Sequence, residues 1–301
     1  MAYIDGFIVY IIESLQEGDI KTGENLKDEI RQFQVDYPGY FIDYQYIVIS
    51  NKEKLFSILI DISESINNSK VPIIQIESHG DEKGFLLTSG EFVKWHELFD
   101  YIRPINVNSC NSLLLTLSMC NGEAIIKEID PRKRAPFKAV IGPNGEILPI
   151  KLQNAWFSFY KNLFKTWENK EQYFFCNLAE SCGLLYFNQD FIFDIHYDTP
   201  NLFPELFDLW IKMNVAEMYR NEGPLMLSRE MYKKWYANKF KKAFDTYKPY
   251  YCFYDVQNTS FLKRLSLYWN ASGSSTKIAS TPFSFNAALI SSNVTWKYSL
   301  R

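Results

Sequence analysis

The sequence predicts an α/β protein: a three-layer sandwich with a mostly parallel central sheet, followed by a helical C-terminal extension. Short, almost continuous apolar runs recur through the first 150 residues, which is typical of strands buried on both faces. Segments with apolar residues at helical spacing separate these runs. Alternation of the two patterns favours a parallel sheet covered by helices. We expect residues 1–198 to form this α/β domain and residues 199–301 a mainly helical extension with an irregular tail.

Five apolar runs are the predicted strands of the sheet. The first four lie before residue 120 and the fifth precedes a Gly-Pro-Asn-Gly turn; their ranges are 6–12, 46–49, 71–77, 113–119 and 138–141. Two shorter segments, 85–87 and 91–93, are joined through Ser89-Gly90 and predict a small hairpin.

Four helices are predicted between and after these strands. The second is the clearest, because its apolar residues recur every three or four positions (Leu55, Ile58, Leu59, Ile62 and Ile66). The third is expected to stop at Pro104, since proline interrupts a helix. The predicted ranges are 21–33, 55–66, 95–102 and 153–167.

After residue 180 the pattern changes. Segments 184–187 and 191–197 predict two strands, the second with strict alternation of apolar and polar residues. Helices are predicted over 203–217 and from Ser228, a favourable N-cap, to Tyr247. The sequence from residue 249 onward is rich in Ser, Asn and Thr and has no clear period.

Composition excludes several classes of function. The chain has 301 residues, 47% of them hydrophobic, which is enough to bury a full core. Its net charge of −3 gives no electrostatic footprint for nucleic acid. The five cysteines form no Cys-x-x-Cys pair, and no run of about 18 apolar residues predicts a membrane span. We therefore expect a cytoplasmic protein without a metal or an organic cofactor.

Two predicted strands end in reactive side chains. The strand 71–77 leads into Ser78-His79-Gly80, and the strand 113–119 leads into Cys120-Asn121-Gly122. Functional residues of open α/β sheets collect beyond the carboxyl ends of the strands, so both side chains are expected at one edge. A thiol and an imidazole are the components of a cysteine nucleophile with a histidine base. The alternative is a buried structural cysteine and an ordinary residue at a strand end.

This order of motifs, with Cys120 following His79 by 41 residues, resembles the caspase-like (clan CD) cysteine peptidases. That group includes caspases, metacaspases, gingipains, separase and bacterial CHAT domains. The segment 137–167 is similar to the CHAT pattern of a strand, a Gly-rich turn and a helix, here with Phe159-Tyr160 and Leu163. The resemblance covers about residues 5–195 and is closest to the bacterial CHAT and caspase-like domains.

The resemblance implies a cysteine endopeptidase that acts on a polypeptide substrate. Cys120 would be the nucleophile, His79 the base, and the N–H groups of Gly80 and Cys120 the oxyanion hole. It also implies an effector of antiviral defence or cell death, switched on by an activating protein or a small-molecule signal. The alternative is a catalytically idle caspase-like module that binds a partner.

The substrate pocket departs from the caspase pattern. Ser118 stands where caspases have a glutamine that binds aspartate and metacaspases have an acid that binds Arg or Lys. We therefore expect a neutral or small P1 residue, and a basic one if Asp81 or Glu82 folds toward the pocket. Alternatively, Arg132 or Arg134 could supply a cation for an acidic P1 residue; both could equally lie in a solvated loop.

Overall fold

The structure is a computed structural model that describes residues 6–37, 42–66, 70–168, 175–197, 204–205, 207–209, 211–213 and 228–253. These residues form two compact units. The first unit comprises the described residues up to Ile129 and from Ala135 to Asn188, and the second comprises Asp130–Arg134 with the described residues from Gln189 onward. The predicted boundary at residue 198 lies outside the described residues.

A six-stranded sheet forms the centre of the first unit. Its strands are β1 (Phe7–Glu13), β2 (Asp43–Val48), β3 (Val71–Glu77), β7 (Leu114–Ser118), β8 (Ala139–Gly142) and β9 (Leu185–Asn188). They are arranged in the order β2-β1-β3-β7-β8-β9, and only β9 runs antiparallel to its neighbour. The predicted α/β class with a mostly parallel sheet is confirmed.

Helices cover both faces of this sheet. Helices α1 (Thr22–Asp36) and α4 (Pro149–Glu168) contact each other and pack on one face together with α5 (Phe175–Ser181). The apolar core under them includes alternate strand residues: Val9, Ile11, Ile73, Leu114, Ala139 and Ile141. The other residues of each strand point the opposite way, as the strand period of two requires.

Helices α2 (Lys52–Ser65) and α3 (Trp95–Asn108) lie on that opposite face. They contact each other, and Tyr10 of β1 forms a hydrogen bond with Ser65 of α2. Asn51 caps the N-terminus of α2 by accepting the N–H of Lys54. This gives the predicted three layers of helix, sheet and helix.

A second, three-stranded sheet follows β3 directly. Its strands are β4 (His79–Asp81), β5 (Gly84–Leu86) and β6 (Phe92–Lys94), all antiparallel. The predicted hairpin is therefore confirmed, and the residue after Ser78 begins a third strand beside it. This small sheet fixes the direction of the chain immediately after the strand that leads to His79.

In the second unit, helix α6 (Gln189–Tyr197) packs on helix α7 (Arg229–Tyr251). The Phe193 ring lies 5.5 Å from that of Phe244 and 5.2 Å from that of Tyr251, measured between centroids. Ser228 caps α7 through the N–H of Met231, as predicted. None of the described helices combines the length and apolar composition needed to cross a bilayer.

Two predictions of secondary structure are wrong. The segment 191–197 is helix α6 rather than a strand, because its aromatic residues pack on α7, a partner that local alternation does not reveal. Helix α3 does not stop at Pro104 but continues to Asn108. Proline costs one backbone hydrogen bond there, and the complete burial of Ile102, Ile105 and Asn106 on both sides of it compensates.

Candidate active site

His79 and Cys120 follow two strands that are hydrogen-bonded neighbours. Strands β3 and β7 are parallel, and their pairing ends with Glu77 opposite Ser118. One further bond, from the Ser78 N–H to the Ser118 carbonyl at 3.4 Å, extends the contact. Each reactive residue lies two positions beyond its last paired residue, so both lie at the same edge of the sheet.

Gly80 brings the two chain segments into close contact. A Cβ atom at this position would lie 2.7 Å from the carbonyl oxygen of Cys120 and 2.8 Å from Cγ of Met119. Real Cβ atoms do not approach a carbonyl oxygen so closely, so only glycine fits here without movement. The segment after His79 and the segment that carries Cys120 are therefore in backbone contact.

Cys120 is half-buried, and its Sγ lies 3.8 Å from the carbonyl oxygen of Ile147. The next residue, Asn121, adopts the left-handed conformation at φ 56°, which asparagine tolerates better than most residues. Its N–H donates to the carbonyl of Gly145 at 2.9 Å, and a 3-10 helix begins at Gly122. The thiol thus lies on a tight turn between a strand and a helix, with part of its surface accessible.

The His79 ring contacts Asp19, a residue that the sequence analysis did not identify. The distance from Nε2 of His79 to Oδ2 of Asp19 is 2.8 Å, and the two side chains are 55% and 29% exposed. The hydrogen bond with His79 lowers the pKa of Asp19, so the carboxylate form is favoured. Asp19 also accepts the N–H of Gln16, which fixes its position in the loop between β1 and α1.

A signal for Asp19 is present in the sequence. The loop after β1 emerges at the same carboxyl edge of the parallel sheet as His79 and Cys120. An acid in that loop is therefore a candidate partner for His79, although 60 residues separate the two along the chain. Local sequence points only to the acids that follow His79 directly, Asp81 and Glu82.

Asp81, one of the predicted pocket residues, is engaged in its own turn. Its Oδ1 accepts the N–H groups of Lys83 and Gly84 at 2.6 and 3.1 Å, which closes the connection between β4 and β5. Glu82 is exposed, and its carbonyl accepts the indole N–H of Trp95.

Arg132 and Arg134 belong to the second unit. Arg132 forms two hydrogen bonds of 2.9 Å to the carboxylate of Asp130. Arg134 donates to the carbonyl of Tyr250, and its guanidinium lies 4.1 Å from the centre of the Tyr250 ring. Both guanidinium groups are held by neighbours within that unit.

Ser118, the remaining pocket residue, is only 4% exposed and lies beside the buried carboxyl group of Glu77. Glu77 and Glu13 are opposite each other on β3 and β1 and are 1% and 2% exposed. Burial, partly offset by hydrogen bonds, raises the pKa of Glu77 to about 7. The hydroxyl oxygen of Ser118 has no partner at hydrogen-bonding geometry, although it adjoins the Glu77 carboxyl.

No metal site accompanies this arrangement in the described part of the chain, where no three His, Cys, Asp or Glu side chains come together. Asp194 of α6 pairs with Lys248 of α7 at 2.6 Å.

Known proteins resemble this chain in structure but not in sequence. No family model matches the chain, and no curated protein is significantly similar to it in sequence. Among solved structures, the chain is similar to the Drosophila initiator caspase Dronc, with a TM-score of 0.44 and 12% sequence identity. The similarity covers 62% of this chain and 81% of that one. Chains this different need not share any chemistry.

Substitution of Gly80 by alanine tests the backbone contact at the site. The new Cβ atom must displace the Cys120 carbonyl, so we expect a loss of about 1–3 kcal/mol in unfolding free energy, typical of overpacking. We also expect a change in the alkylation rate of Cys120. Urea denaturation and iodoacetamide labelling measure the two effects.

Gly142→Ala is the matched control, because its Cβ would meet its nearest neighbours at 3.5 Å, an ordinary contact distance. If Gly80→Ala is as stable and as reactive as the unmodified protein, the described contact between the two segments is wrong.

Proposed function

We propose that this protein is a caspase-like cysteine endopeptidase in which Cys120 is the nucleophile and His79 the general base. The observation that carries the proposal is the β3–β7 pairing, which brings a half-buried thiol and an exposed imidazole to one sheet edge. The contact of Asp19 with the His79 ring adds support, because it engages Nε2 and leaves Nδ1 as the ring nitrogen that can accept the thiol proton.

In the proposed reaction, His79 takes the proton of the Cys120 thiol, since the thiolate is the nucleophile. The thiolate attacks the peptide carbonyl and forms a tetrahedral intermediate. Collapse of this intermediate breaks the C–N bond while the protonated His79 donates its proton to the leaving amine. Water, deprotonated by His79, then hydrolyses the thioester, which releases the acid product and restores the thiol.

The developing oxyanion needs N–H donors near Cys120. The N–H of Cys120 has no hydrogen-bond partner among the described residues, and Gly80 lies against this segment. We therefore propose that the backbone amides of Gly80 and Cys120 form the oxyanion hole.

Asp19 is proposed to hold the imidazole in place. A carboxylate that accepts a hydrogen bond from one ring nitrogen selects the tautomer and stabilises the imidazolium that forms during attack. Both side chains are partly exposed, so water weakens this stabilisation relative to a buried triad.

We propose a neutral or small P1 residue. Three of the four charged candidates for the pocket have another side-chain contact: Asp81 with its own turn, Arg132 with Asp130, and Arg134 with Tyr250. The fourth, Glu82, is exposed and leaves a basic P1 residue as the second choice. A pocket that binds a carboxylate or a guanidinium needs a charged partner with free hydrogen-bonding capacity.

A role in antiviral defence or cell death, and activation by a signal, stay predictions from the family resemblance.

We expect Cys120→Ala and His79→Ala each to abolish peptide hydrolysis, with the double variant hardly worse than either one. Groups that act as a unit lose their function together, so their effects do not add. Single-turnover cleavage assays measure this, and Cys182→Ala, at another half-buried thiol, is the control that should keep full activity. More than about a tenth of the activity in Cys120→Ala would identify another nucleophile.

Selective labelling separates the enzyme from an idle partner-binding module. An acyloxymethylketone probe should modify Cys120 in preference to Cys110 and Cys182, because Cys120 shares its sheet edge with the His79 imidazole. Equal labelling of the exposed thiols together with no hydrolysis would favour the binding module.

Substitution of Asp19 tests the orientation of His79. We expect Asp19→Ala to lower kcat by roughly 10- to 100-fold, below the ~10⁴ of a buried triad aspartate because of solvent exposure. KM should change little. Asp19→Asn keeps an acceptor oxygen but no charge, so its kcat separates orientation from charge stabilisation. Asp81→Asn is the control, since asparagine can still close the β4–β5 turn.

Cleavage of a peptide library tests the pocket. We expect turnover to be highest with neutral or small P1 residues, because Asp81, Arg132 and Arg134 are each paired with other groups. Cys120→Ala on the same library shows the background. A strong preference for Asp at P1 would contradict this prediction and would implicate Arg132 or Arg134.

A further inference from the structure

Two carboxyl groups are buried next to each other beneath the edge that carries His79 and Cys120. Glu13 ends β1 and Glu77 ends β3, and the two residues are paired in the sheet register. Parallel pairing places paired side chains on the same face of the sheet. Both residues are almost completely buried.

These carboxyl groups anchor the start of helix α1. Glu13 accepts the N–H groups of Gly23 and Glu24 at 2.8 and 3.2 Å, and Glu77 accepts the hydroxyl of Thr22 at 2.6 Å. Thr22 is three residues after Asp19. The loop between β1 and α1 contacts His79 through Asp19. Glu13 and Glu77 hold the end of this loop where α1 begins.

The packing at this point is close. A Cβ atom at Gly23 would lie 2.8 Å from Oε2 of Glu13 and 2.9 Å from Cγ of Glu77. The first turn of α1 thus lies directly on the two carboxyl groups. If the distance between Glu13 and Glu77 changes, this turn must move.

No described cation neutralises the pair. Tyr46 of β2 donates to Glu13 at 2.9 Å, and Tyr160 of α4 donates to Gln75, which in turn donates to Glu77. On α1, the neighbouring Lys27 pairs with Glu24 and Asp28 instead. Two adjacent carboxylates without a counter-ion cannot both stay ionised in a dry site, so one of them keeps a proton.

We propose that Glu77 holds a proton next to Glu13, and that this proton locks the β1–α1 loop, and with it the Asp19–His79 contact, in the arrangement the dyad needs. Both glutamates are positioning residues, since neither touches the reacting atoms. The effect on turnover rests on the proposed peptidase function, whereas the lock on the loop does not.

Ser118 of β7 is paired with Glu77 on the side of β3 away from β1. Its hydroxyl oxygen is buried, has no partner that meets hydrogen-bond geometry, and adjoins Glu77. A hydroxyl can donate to a carboxylate as well as accept from a carboxylic acid, and here its interaction lowers the pKa of Glu77. Burial has the larger and opposite effect, so the proton belongs on Glu77 in the folded protein.

Loss of this proton would release the lock. The pKa of Glu77 is raised to about 7 by its burial, from 4.5. Because the folded state holds this proton more tightly than the unfolded state, stability falls as pH rises from about 4.5 to about 7. Above that range Glu77 is ionised next to Glu13, and repulsion between the two carboxyl groups separates the ends of β1 and β3, on which the first turn of α1 lies.

Hydrogen exchange of the loop 14–22, measured from pH 5.5 to 8.5 and corrected for intrinsic exchange rates, is the direct test. In the unmodified protein, protection of the loop should fall several-fold through one transition near pH 7. Glu77→Gln carries a permanently neutral amide of similar shape, so its loop should stay protected across the range. Glu17→Gln, an exposed acid in the same loop, is the control and should behave like the unmodified protein.

Two further measurements separate the lock from the proposed chemistry. The Tm of the unmodified protein should fall by several degrees between pH 5.5 and 8.5 relative to that of Glu77→Gln. In the unmodified protein, peptide turnover should fall as the pH rises past about 7. This fall should be absent in Glu77→Gln and present in Glu17→Gln. If Glu77→Gln does not fold, Ser118→Ala replaces it. The Ser118 hydroxyl lowers the pKa of Glu77, so its removal should move the transition to higher pH.

Loop protection that is flat across this pH range in the unmodified protein, or an unchanged transition in Glu77→Gln or its replacement, would overturn the proposal. A loop transition without any peptide hydrolysis would leave the lock in place and refute the peptidase. Hydrolysis without a loop transition would refute the lock and leave the peptidase function in place.

Discussion

The parallel pairing of β3 with β7 is the constraint on which the candidate site depends. Register places Glu77 opposite Ser118, so that the residues two positions beyond them reach one edge together. A shift by one residue would turn the side chains of β3 to the opposite face. The buried apolar residues on both faces of these strands make such a shift costly, and the geometry of the site follows from the packing of the core.

Much of the fold could be predicted from the sequence, because strands buried on both faces have continuous apolar runs. Strands β3 and β7 and helix α2 follow from patterns within a few residues. His79 and Cys120 were recognisable for the same reason, since each directly follows such a run. Prediction was wrong where a distant partner decides the structure, as for α6, whose aromatic residues pack on α7.

Asp19, Glu13 and Glu77 were not identified because their roles depend on register and not on neighbours in the chain. Glu13 and Glu77 end two apolar strands, where a charged residue normally marks the exit to solvent. Only the pairing of β1 with β3 and the position of α1 reveal that both are buried. Asp19 likewise meets His79 through the sheet edge, across 60 residues of sequence.

The same face of the sheet changes from apolar to polar along its strands. Toward the carboxyl ends, β3 carries Gln75 and Glu77, and β7 carries Thr116 and Ser118. Tyr160 of α4 joins Gln75 and Thr116 by hydrogen bonds of 2.9 and 3.2 Å, so this buried polar region is largely satisfied. Apolar residues at these positions would stabilise the core at lower cost. A polar network lies beneath His79 and Cys120 instead. Directional hydrogen bonds specify positions that apolar contacts leave free, so this network holds the reactive edge in one geometry.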